Sequence, residues 1–117
     1  MADASVLHCG PLIQTLKQDL GISGETVARA LDVDRPTLAR WITDDRIPQG
    51  KTRKGLAELL ALRDRMLAVL GSAERARSWL RTSSTYLGGF TPEEALRAGR
   101  IDRVSADLDG LAAGVYL

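Results

Sequence analysis

Two apolar helical patterns in Val27 to Trp41, VARALDVDRPTLARW, are separated by only Asp32, Val33 and Asp34. So short a connection makes the two helices cross immediately and share one buried contact. Val27 and Leu31 pin the first helix, Leu38 and Trp41 the second, and Ala28 is small enough to stand at the crossing. Val33 is the apolar residue on the inside of the turn. Asp32 stands in the turn as well, and aspartate tolerates the left-handed backbone better than most residues. Asp34 stands where an N-cap is needed, with Pro36 in the first turn that follows.

Helical spacing dominates elsewhere as well. Leu12, Leu16 and Leu20 lie on one face of a helix that Gly21 ends. After the break at Pro48 and Gly50, a longer helix is predicted from about Lys54 to Leu70, and Gly71 stops it. Ser72 caps the next helix, AERARSWLRT. Thr91 and Glu94 have capping-box spacing around Pro92, and Gly99 closes that short helix. A last helix runs from Ile101 to Ala113, with Val104, Leu108 and Leu111 on one face and Gly114 after it. No strand-like alternation longer than a few residues occurs, so the fold class is all-α. The break at Gly71 and Ser72 divides the chain into residues 1–70 and 71–117.

Several functions are disfavoured. The 117 residues contain one cysteine, Cys9, and one histidine, His8. An adjacent pair falls short of a zinc site, and no second histidine is present for a nucleophile and base. Glu93 and Glu94 point about 100° apart on a helix, so they make no carboxylate pair. Neither a catalytic set nor a cofactor or metal is expected. No 18-residue apolar run exists, and the opening MADASVLHCG lacks the basic start and apolar core of a signal peptide, so no membrane association and a cytoplasmic location are expected. Net charge is +1, but four basic and no acidic residues fall between Arg46 and Lys54.

The Val27–Trp41 pattern resembles an Xre-like helix-turn-helix, with Asp32 where the family usually has glycine. The resemblance makes DRPTLARW the recognition helix. Arg35, Thr37 and Arg40 then face a major groove, with Thr43 at the helix end, while Arg46, Lys51, Arg53 and Lys54 hold phosphates. Asp34, Asp44 and Asp45 dilute the positive field there, so useful affinity for operator DNA calls for a homodimer or larger assembly.

The second half carries Trp79-Leu80, Leu87-Gly88-Gly89, Pro92, Leu96, Gly99, Val104, Leu108, Gly114 and Tyr116. This pattern resembles the toxin-binding domain of Xre/MbcA/ParS-like antitoxins, with TSSTY where many members have an Asn-Pro-like turn. The resemblance implies an antitoxin of a type II toxin–antitoxin system. Its partner would be a RES-domain toxin that degrades NAD, and it would repress its own operon. Gly88, Gly89, Arg100 and Arg103 would belong to the docking surface. Val115, Tyr116 and Leu117, beyond the last helix stop, would enter or cap the toxin's substrate cleft. Trp79, Leu87, Leu96, Val104, Leu108 and Leu111 read as core. Two alternatives stay open at this point. One is a stand-alone regulator whose second half only dimerises, and the other is a protein-binding adaptor with an architectural helix-turn-helix.

Overall fold

In the computed structural model, residues 9–44 and 48–114 are described, and seven helices with no strand follow one another among them. They are α1 Cys9–Leu20, α2 Gly24–Ala30, α3 Arg35–Asp44, α4 Gly50–Leu70, α5 Ala73–Leu80, α6 Pro92–Arg97 and α7 Ile101–Ala112. Local hydrogen bonds explain most of the starts. Ser23 Oγ accepts from the Thr26 N–H at 3.1 Å, Asp34 Oδ1 from Thr37 at 2.8 Å and Ser72 Oγ from Arg75 at 3.2 Å. At α6 the capping is reciprocal: Thr91 Oγ1 accepts from the Glu94 N–H at 3.1 Å, and Glu94 Oε1 from the Thr91 N–H at 2.9 Å. Each bond satisfies an amide that the helix itself leaves without a partner.

Two expectations shift. The long helix α4 starts at Gly50 rather than near Lys54. Pro48 and Gly50 suggest a broken chain, yet Pro48 is buried and Gln49 already takes the extended N-cap conformation, so the break is complete by Gly50. In α1 the buried face is Cys9, Ile13, Leu16 and Leu20, while Leu12 is only half-buried. The reason is tertiary. Helix α1 is wedged against α3, α4 and α5, and that arrangement selects the Ile13 side over the Leu12 side.

The packing crosses the sequence midpoint repeatedly. Helix α2 lies against α3 and α6, α4 against α5 and α7, and α6 against α7. Aliphatic residues and Met66 form the core: Ile13, Leu16, Leu59, Leu62, Leu80, Leu96 and Leu108 are all buried in one cluster with it. Leu87 and Val104 join this cluster, and Trp41, Trp79 and Leu111 pack partly buried against it. Gly10 permits the α1–α3 crossing, because a Cβ there would stand 3.3 Å from the Ile42 carbonyl oxygen. Among the described residues no helix is long and apolar enough to cross a membrane.

Candidate functional site

Two surfaces hold the residues singled out from the sequence. The first is built on α3. Leu38 anchors the helix in the core, and Trp41 packs partly buried beside it. Asp32 has φ 59°, the left-handed turn expected of it, and the Val33 N–H donates to the Ala28 carbonyl at 2.9 Å to close the reversal. Arg35, Arg40 and Thr43 are exposed and Thr37 is half-buried. The Thr37 hydroxyl accepts from Arg40 Nη2 at 3.3 Å. Hydrogen bonds from the Thr37 side chain and backbone, helped by the Arg40 charge, hold the Asp34 carboxyl below its ordinary range. Arg40, Thr37 and Asp34 thus form one surface relay at the start of α3.

Lys51, Arg53 and Lys54 stand in the first turns of α4, not in a loop, and all three are exposed. The N-cap Gln49 makes no side-chain cap bond, and no acidic residue occupies the first turn. The positive end of the helix dipole therefore meets three cations, an arrangement that costs stability and favours an anion. Lys51 reaches Asp32 at 3.9 Å, but both side chains are largely in solvent, so the pair contributes little. Arg46 lies outside the described residues.

The second surface follows α5. Residues 84–90 form a closed turn. The Ser84 N–H donates to the Phe90 carbonyl at 3.0 Å, and the Ser84 carbonyl accepts from Leu87 at 3.1 Å and Gly89 at 2.8 Å. Gly88 and Gly89 have φ 72° and 92°, which side chains resist. A Cβ at either would meet nothing within 4 Å, so backbone conformation rather than crowding within this chain requires glycine there. The turn displays two aromatic residues, Tyr86 at 41% exposure and Phe90 at 61%. Arg103, near the start of α7, lies over the Tyr86 ring at 5.2 Å from its centroid. Arg100 is committed to Asp102 by two hydrogen bonds of 3.0 and 2.9 Å, which raise its pKa and lower that of Asp102.

Phe90 escaped the sequence reading, although it is the one phenylalanine in the chain and follows the Gly-Gly turn. It occupies the position before an N-cap, where an apolar residue ordinarily staples onto the helix, so its sequence context suggests burial. Val115, Tyr116 and Leu117 lie outside the described residues, as does His8. Cys9 is buried at the start of α1, and Glu94 is occupied in the capping box.

Residues 67–114 match the Antitoxin Xre/MbcA/ParS C-terminal toxin-binding domain, and residues 13–64 match a helix-turn-helix family. The mycobacterial cidal antitoxin MbcA of Mycobacterium tuberculosis is 30% identical to the chain over 98 residues, which are 84% of this chain and 86% of the relative. MbcA of Mycobacterium bovis matches to the same extent. A chain in the crystal structure of the M. tuberculosis MbcT–MbcA toxin–antitoxin complex superposes with a TM-score of 0.65 at 27% identity, covering 92% of this chain and 96% of that one. The order of the two matched regions, the identity to MbcA and the shared fold lead to one conclusion: the chain belongs to the Xre/MbcA/ParS antitoxins and carries a helix-turn-helix domain ahead of its toxin-binding domain.

Proposed function

We propose that this antitoxin neutralises a RES-domain, NAD-degrading toxin by covering its active site, and that it represses its own operon through the helix-turn-helix. The observation that carries the first part is the likeness, over nearly the whole chain, to a chain of the MbcT–MbcA complex. The turn of residues 84–90 with Arg103 forms the docking area. Residues 115–117 enter or cap the substrate cleft. Asp102, Asp107 and Asp109 lie on the helix leading to that tail, but Asp107 is buried and Asp102 and Asp109 are paired with Arg100 and Arg65, so their charge adds little to the match with a cleft that binds the anionic pyrophosphate of NAD.

Repression is supported by the exposed Arg35, Arg40 and Thr43 on α3 and by the cations gathered at the start of α4. Arginine can take guanine bidentately in the major groove, and the Lys51, Arg53 and Lys54 cluster pairs with phosphate at an uncapped helix start. One such face makes few phosphate contacts, so the DNA-bound form is a homodimer or a larger complex with the toxin.

Co-expression with the product of the adjoining gene tests the reading. The two are expected to co-purify as one complex that retards promoter DNA. An adjoining product that is no toxin, or one that elutes apart from this chain, contradicts it.

A further inference from the structure

An apolar cleft of about 300 Å³ opens between the 84–90 turn and the α6–α7 connection. Its origin lies in the sequence. Phe90 precedes the N-cap Thr91, and the residue it should staple onto, four positions inside the helix, is Ala95. A large residue there would cover the ring. Alanine leaves Phe90 61% exposed as one wall, with Leu87, Ala95 and Ala98 forming the rest of the apolar lining. The Phe90 backbone is nevertheless held, because across the Gly-Gly turn its carbonyl accepts from Ser84 and its N–H donates to the Leu87 carbonyl. An exposed aromatic on a preorganised turn loses little entropy when it binds.

The charges around the cleft narrow the occupant. Glu94 is committed to the Thr91 amide, and Arg100 to Asp102. Arg103 makes no ion pair among the described residues and rests on Tyr86. Among the described residues the rim therefore offers Arg103 as a cation outside any ion pair, beside an apolar slot, with the Glu94 carboxylate held away on the Thr91 amide. We infer that this cleft is the anchor site for the toxin, taking a large apolar side chain of the partner into the slot with a partner carboxylate against Arg103. The inference rests on the toxin-binding reading given above and adds to it the residues that carry the affinity and the chemistry they recognise. Buried aromatic anchors with a flanking charge are where interface energy concentrates.

The test uses full-length chain and the purified toxin encoded beside it, with binding measured by calorimetry. Phe90→Ala removes a wall, and Ala98→Leu fills the slot from an exposed position. The first is expected to weaken binding about thirtyfold and the second about tenfold. Arg103→Ala is expected to weaken binding mainly at low salt. Helical circular dichroism of all three should equal that of the parent. If the parent binds and both Phe90→Ala and Ala98→Leu bind equally well, the cleft is not the anchor although the toxin reading stands. If these variants lose self-association while keeping toxin affinity, the occupant is a second copy and the inference is overturned. A parent that fails to bind overturns the toxin reading and the cleft with it.

Discussion

At the scale of single residues, short-range hydrogen bonding explains what the chain reveals about itself. Asp34, Ser72 and Thr91 were legible as caps because each bonds an amide three residues on, within reach of sequence alone. Asp32 was legible as a left-handed turn residue from the helix-turn-helix resemblance, in which it stands at the usual glycine. Phe90 was not, since its exposure depends on how small Ala95 is and where α7 lies. Asp34 also gives a pH prediction. Its carboxyl is depressed by hydrogen bonds from Thr37, so the capped form is favoured above the ordinary aspartate range and is lost as pH falls through the depressed value. In NMR titrations the Asp34 carboxyl should therefore ionise below that of an unstructured aspartate, and Thr37→Val should move it back up. An unchanged midpoint in the variant would remove Thr37 as the cause.

Among the elements, α4 best separates stability from binding. Its early start was obscured because Pro48 and Gly50 signal a break, and no capping residue or first-turn acid marks Gly50 as a beginning. Cations at the positive end of a helix cost about 0.3–1 kcal/mol each, so the folding of α4 gains nothing from them. Arg53→Ala should leave urea stability equal or a few tenths of a kcal/mol higher while reducing the salt slope of promoter binding by about 0.9. Arg40→Ala behaves differently. It should cost about 1–3 kcal/mol on the cognate site and relax preference at one base position. Fluorescence anisotropy across a salt series distinguishes the two. Parent-like slopes and affinities for both variants would dissociate α3 and α4 from DNA.

Over the whole molecule, the contact between α2 and α6 was illegible, because nothing local to either helix specifies a partner so far along the chain. It makes the helix-turn-helix and the toxin-binding region mutually dependent: Leu96 of α6 is fully buried in the cluster that also holds Val27 of α2. Leu96→Ala should cost about 2–5 kcal/mol. Trp41 and Trp79 report on α3 and α5 separately, and in single-tryptophan variants their urea transitions should coincide before and after that substitution. Separate transitions would show two folding units. Most direct is the measurement of NAD consumption by the adjoining toxin, titrated with full-length chain and with a chain ending at Gly114. The account predicts that full-length protein stops NAD loss at stoichiometric ratio, while the shortened form still binds toxin but lets NAD fall. Undiminished NAD loss with bound full-length protein would contradict inhibition by occlusion, and equal protection by the shortened form would contradict the role of the tail.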